Sequence, residues 1–393
     1  MFKNSGKTHL RPLMWGAPGS AFSGKTRSYL IKKGIDYQEI FPSHRRFKEE
    51  IMPTIGYFVM PVMELEDGLL IQDSTDIILY FEEKYPERPM IPKTPVLQAL
   101  AWLVGYFGSE SFLIPGMHYR WSFLDEQRSS VEAMFGRIFS AERNMDKQRE
   151  EIAPVMDFFN GFLPDLGITK ETIPMIEQSH EAFLVLLNDH FLHFPYLLGG
   201  RPSLADFGMT SILYAHIAHD PHSSVMMKRI APHVYRWTER MNEAGIVDGE
   251  FPDMAPEYPT NDAPPETLFP VLRYLFSDCA PETVAMVKVY NAWIRANADL
   301  PASSRIQSDP AAPSGAHPLL GHFEFELRGV TVRRQVFADA IYHLQRVLDV
   351  VSGLDGAGRE KFDALIESVG GGSLLATTLE RRIKSENYRF VLT

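Results

Sequence analysis

Two hydroxyls at the head of a helical stretch, Ser20 and Ser23, are the first residues of this chain whose type and placement suit chemistry. They follow the Gly/Pro-rich turn 16–19 and open a helical pattern over residues 21–33, which Gly34 ends. A hydroxyl there lies beside unpaired N–H groups and the positive end of the helix dipole, where negative charge is stabilised. Serine is also an ordinary helix cap, so both roles stay open, and so does the choice between Ser20 and Ser23. The same turn, Gly19 to Thr26, satisfies the phosphate-loop pattern G-x-x-x-x-G-K-[ST]. In that reading Lys25 would meet the phosphates of a nucleotide and Thr26 a magnesium ion. No later strand ends in an acidic residue suited to the metal, and nearly everything after Ser74 is helical. A parallel nucleotide-binding sheet therefore lacks strands, and a phosphate-loop nucleotide-binding protein is the minor alternative.

Further along stand Met60-Pro61-Val62, where a proline enters a strand, and Asp73-Ser74, ahead of a second helical pattern over 75–84. Ser74 reads as that helix's cap, and its first N–H groups suit a carboxylate; the Asp73 carboxylate suits an ammonium. Ser203 and Asp206 have the spacing of a capping box, which makes Asp206 structural. His216, His219 and His222, with Asp220, invite a metal reading, but Pro221 breaks the helix before His222 and no general-base Glu accompanies them. We expect no metal site. The aromatic run Trp102, Tyr106, Phe107, Phe112, His118, Tyr119 and Trp121 reads mostly as core, facing the first domain.

These residues need scaffolding, and the pattern supplies it in three parts. Short strands at 12–15 and 36–40, and a hairpin of 59–65 with 69–71 around Asp67-Gly68, alternate with the two helices. The order βαβ then ββα is that of a thioredoxin fold. Prolines at 86, 89, 92 and 95 mark a linker, and residues 96–242 read as a helical bundle. A second proline-rich linker covers 248–265. Beyond it come helical patterns at 267–276, 281–298, 335–351 and 358–369, with a hairpin of 322–327 and 330–334. The expected domains are thus 8–86, 95–247 and 266–393. The fold class is α/β plus all-α: a thioredoxin-like domain, a helical bundle and a mostly helical extension.

Composition agrees with a packed protein: 393 residues, 45% hydrophobic and 23% charged, with a net charge of −11. The basic residues are scattered, so no concentrated face for nucleic acid is expected. One cysteine, Cys279, excludes an internal disulfide and a cysteine cluster. The first ten residues lack an apolar signal core, and no stretch offers the ~18 apolar residues of a spanning helix. We expect a cytoplasmic protein that binds neither membrane nor nucleic acid.

The segment from Gly16 to Tyr37, with Phe58-Val-Met-Pro-Val-Met63, Glu66-Asp-Gly68 and the run from Gln72 to Pro86, resembles the N-terminal domain of glutathione transferases. The motif Gly199-Gly-Arg-Pro-Ser203 with Asp206 resembles their second domain. The resemblance implies glutathione as co-substrate. It implies a cis peptide at Pro61 whose preceding backbone, at Met60, pairs with the cysteinyl part. It also implies Asp73 and Ser74 on the γ-glutamyl group, and Ser20 or Ser23 as the donor stabilising the thiolate. A homodimer is implied as well, unless the extension occupies its surface. Where many members carry a Gly-Lys-type pair, this chain has Phe58 and Val59, so a contact to the glycyl end is missing from its usual place. The expected function is attack of the thiolate on a small hydrophobic electrophile, with isomerase or lyase chemistry as variants. The alternative is a non-catalytic binding or scaffold protein that kept the fold.

Overall fold

Three-residue apolar runs bounded by Gly, Pro and Asp-Gly turns are too short for helices and pair as strands. The computed structural model describes residues 2–307 and 319–393. It places β1 (Leu13–Trp15), β2 (Gln38–Ile40), β3 (Val62–Glu64) and β4 (Leu70–Gln72) in one sheet of order β2-β1-β3-β4. β2 runs parallel to β1, and β3 and β4 follow antiparallel, with Met14 opposite Met63 and Met63 opposite Ile71. Helices α1 (Ala21–Lys33), α2 (Met52–Ile55) and α3 (Ser74–Lys84) complete this layer. Gly34 closes α1 in the left-handed region, its N–H on Leu30 and Ile31. One correction concerns α3: its cap is Asp73, and Ser74 is its first helical residue.

The bundle consists of α4 (Pro95–Glu110), α5 (Leu113–Trp121), α6 (Leu124–Phe139), α7 (Met145–Gly161), α8 (Ile173–His193), α9 (Leu204–Ile212), α10 (Pro221–Ile230) and α11 (Pro232–Arg240). Ser203 and Asp206 form the expected capping box at the head of α9. α9 crosses α4 backbone to backbone: a Cβ on Gly208 would lie 2.3 Å from the Gly105 carbonyl oxygen, and one on Gly108 2.6 Å from the Met209 nitrogen. That close crossing brings α9 against α1, where Tyr29 meets Phe207 edge to face at 5.4 Å.

The extension contains α12 (Phe269–Tyr274), α13 (Ala280–Ala296), the hairpin β5 (Leu319–Leu327) with β6 (Val330–Phe337), α14 (Ala338–Ser352), α15 (Gly356–Ser368), α16 (Gly372–Leu375), and a final hairpin of β7 (Ile383–Glu386) with β8 (Arg389–Leu392). The helix expected from residue 335 starts three residues later, because β6 continues to pair Gln335 with His322 and Phe337 with Leu319. The sequence pattern carries no sign of the final hairpin. α14 and α15 pack on α4, and the β7–β8 turn returns to the first sheet, where Tyr388 Oη donates to the Leu70 carbonyl at 2.9 Å. Among the described residues no helix is long and apolar enough to cross a membrane.

Candidate active site at the heads of two helices

The turn after β1 delivers Ser20 in extended backbone (φ −93°, ψ 124°) as the cap of α1. Its Oγ accepts the Ser23 N–H at 3.4 Å and the Ser23 hydroxyl at 3.1 Å. Ser23 is fully buried, with its proton on Ser20, whereas Ser20 is half-exposed and its own proton remains free to point outward. The two serines are thus a pair with unequal roles.

The second domain clamps this turn. Arg120 of α5 donates from Nη1 to the Gly19 carbonyl at 2.9 Å. Its other guanidinium edge grips Asp220 through Nε at 2.8 Å and Nη2 at 3.1 Å. All of this is buried, so the ion pair holds its geometry with no competing water. Met134 of α6 lies on the turn so closely that a Cβ on Gly19 would fall 1.8 Å from its sulfur. Any larger residue there would have to displace the Met134 side chain.

At the cis Met60–Pro61 bond, Met60 is half-buried and Pro61 buried. The neighbouring Phe58 ring stacks on Phe139 of α6 at 5.0 Å and meets Phe47 edge to face at 5.4 Å. The place where a polar glycyl contact was missed is therefore an aromatic wall shared with the bundle. The expectation that the run from Trp102 to Trp121 faces the first domain finds no support in its ring contacts. Tyr106 bonds Thr283 at 3.4 Å, Phe107 meets Phe276 at 6.0 Å, and Phe112 meets Phe183 at 4.4 Å, all turned toward α8 and the extension.

Asp73 caps α3 with φ 88°, its Oδ1 accepting the N–H of Thr75 at 2.8 Å and of Asp76 at 3.1 Å. Its Oδ2 lies 3.1 Å from Nε2 of His343, a residue of α14. Arg346, one turn on, meets Asp76 Oδ1 at 2.5 Å. Ser74 is buried beside them. Burial alone would raise the Asp73 carboxyl, but the cations of His343, Arg346 and Lys25 outweigh it and hold Asp73 well below the usual carboxylate range. Burial opposes charge on His343 too, yet Asp73 keeps its pKa raised.

Gly24, Lys25 and Thr26 all lie inside α1, so no phosphate-cradling loop exists there. Lys25 points inward, its Nζ on Thr75 Oγ1 at 2.9 Å and Ser109 Oγ at 3.3 Å. Burial lowers its pKa. The nucleotide-binding alternative is corrected on these grounds. The three histidines have separate partners: His216 lies between the Gly116 carbonyl and Arg120, and His222 stacks on Phe123 at 3.5 Å and bonds Glu126 at 2.8 Å, while the His219 ring lies 6.5 Å from that of Tyr214. Sequence reasoning missed Arg120, His343 and Arg346. Arg120 carried a weak signal in its neighbour Asp220; the other two carried none.

Residues 14–89 match the family description "Glutathione S-transferase, N-terminal domain", and residues 176–244 match "Glutathione S-transferase, C-terminal domain". The chain thus carries glutathione S-transferase-like N- and C-terminal domains. A glutathione S-transferase of wheat, Triticum aestivum, is 37% identical to this glutathione S-transferase-like chain over 86 residues, 21% of the chain and 38% of the wheat protein. The match thus spans well under half of that relative. Among solved structures, β-etherase LigF from Sphingobium sp. strain SYK-6 is similar at 19% identity over 59% of this chain and 95% of its own, with a TM-score of 0.41. A glutathione S-transferase from Methylobacterium radiotolerans in complex with glutathione sulfonate is similar at 19% identity over 64% and 97%, with a TM-score of 0.34.

Proposed function

We propose that this glutathione S-transferase-like chain is a glutathione-dependent transferase whose thiolate is stabilised by Ser20. The observation that carries the reading is the serine pair: Ser23 donates its proton to Ser20, which leaves the Ser20 O–H as a free, half-exposed donor at the head of α1. A thiol bound there loses its proton more readily, because the hydroxyl and the helix dipole both favour the anion. In the reaction the sulfur's electron pair forms a bond to an electrophilic carbon and the leaving group departs with its own pair. Met60 backbone, Asp73 and Ser74 hold the peptide, and a small hydrophobic electrophile rests against Phe58, Phe139 and Met134.

The test is conjugation of glutathione to a halonitrobenzene. Ser20→Ala lowers kcat/KM about 100-fold, the scale of removing one anion-stabilising donor; unchanged turnover removes Ser20 from the mechanism. A second reading, a binding or scaffold protein without turnover, is favoured by Phe58 and by the occupation of Asp73 by His343. Calorimetry with glutathione separates the two: the scaffold reading requires no binding.

A further inference from the structure

The seat proposed for the γ-glutamyl ammonium already holds a cation, and the chain supplies it from 270 residues away. On α14, residues 342, 343 and 346 share one helix face. That face presents His343 to Asp73 Oδ2 at 3.1 Å and Arg346 to Asp76 Oδ1 at 2.5 Å. A helix N-terminus repels cations, so this arrangement exists because the two carboxylates bind them. Lys25 stands behind the same pair on Thr75. Three cations therefore face Asp73 and Asp76. With Oδ1 of Asp73 occupied by two N–H groups, a further ammonium has only Oδ2, within contact of the imidazolium already bonded to it. Two like charges at one oxygen compete rather than coexist.

We propose that His343 is an intramolecular stand-in for the γ-glutamyl ammonium, so that α14 is a latch which an incoming γ-glutamyl thiol displaces from Asp73. The proposal rests on the glutathione reading above. The latch is anchored independently of His343. Gln345 exchanges hydrogen bonds with the backbone of Ile383 at 2.9 and 3.0 Å. Beyond it, Arg389 donates to the Gly56 carbonyl at 3.0 Å, with its guanidinium 4.0 Å over the Tyr57 ring. Loss of the imidazole thus frees Oδ2 while the helix stays docked.

The experiment is calorimetric titration of the full chain at neutral pH, wild type against His343→Ala, with circular dichroism and melting confirming the fold. Two ligands are used: glutathione, and glutaryl-cysteinyl-glycine, which lacks only the amino group. His343→Ala tightens glutathione about tenfold, the scale of one charge-assisted hydrogen bond, and leaves the desamino peptide unchanged. Equal or weaker glutathione binding in the variant overturns the latch while the glutathione reading stands. An equal gain for both peptides overturns the ammonium stand-in, since it reports released space and not a vacated charge. No glutathione binding to either protein overturns the glutathione reading and the latch with it. Should His343→Ala fail to fold, His343→Leu, which fills much of the space but leaves no donor on Oδ2, gives the same comparison.

Discussion

His343 and Asp73 form a titrating pair whose sign can be worked out. The folded pKa of His343 is raised above its unfolded value of about 6.5. Its contribution to stability is therefore complete below that value and disappears as pH rises through the folded pKa. Asp73, held low, stays ionised throughout this window. Denaturant unfolding should then show His343→Ala less stable than wild type by about 2 kcal/mol at mildly acidic pH, with the gap closing as the solution becomes alkaline. A gap that widens with pH would contradict the assignment. At this scale the site was half legible. Ser20, Asp73 and Ser74 stand at helix heads, where local sequence reports local geometry, whereas His343 meets Asp73 only through tertiary packing and has no local signature.

Helix α1 shows why elements are easier to read than their environment. Its start, its end and Gly34 follow from capping preferences, yet Lys25, Arg27, Lys32 and Lys33 look like a solvated face and are all buried. Each has a partner on another element, Arg27 pairing with Glu39 at 2.7 Å and Lys33 with Glu82 at 2.7 Å, for instance, as burial of charge requires. The α14 boundary failed for a different reason: residues 335–337 fit both a helix period and the alternation of β6, and only pairing with β5 decides. The α4–α9 crossing gives a prediction at this scale. Gly208→Ala places a methyl group 2.3 Å from the Gly105 carbonyl oxygen, a backbone clash that side-chain rotation cannot relieve. The expected loss is about 3 kcal/mol, read as a fall in melting temperature. Gly161→Ala, with nothing within 4 Å, is the control and leaves it unchanged.

Across the whole molecule, the chain closes on itself, since the last hairpin packs on the first sheet. Tyr388 carries that closure: it sits in the left-handed region (φ 61°), unfavourable for an aromatic residue, next to Asn387 at φ 50°. The turn carries no Asn-Gly signal, which is why the hairpin escaped the sequence reading. Tertiary contacts offset the backbone cost. The ring is buried in a small core with Trp15, Phe47, Val62 and Leu70, and its hydroxyl donates to the Leu70 carbonyl and accepts the Lys3 N–H at 2.7 Å. Removing only the hydroxyl, Tyr388→Phe, should cost about 1 kcal/mol, whereas Tyr388→Ala should cost about 3–5 kcal/mol. Hydrogen exchange tells whether the loss is local. Because Gln345 ties α14 to Ile383, freeing the hairpin should raise exchange in β7, β8 and α14 together and leave α9 protected. Exchange confined to residues 383–392 would mean that α14 is held by α4 alone, and that the C-terminus has no part in fixing His343 over Asp73.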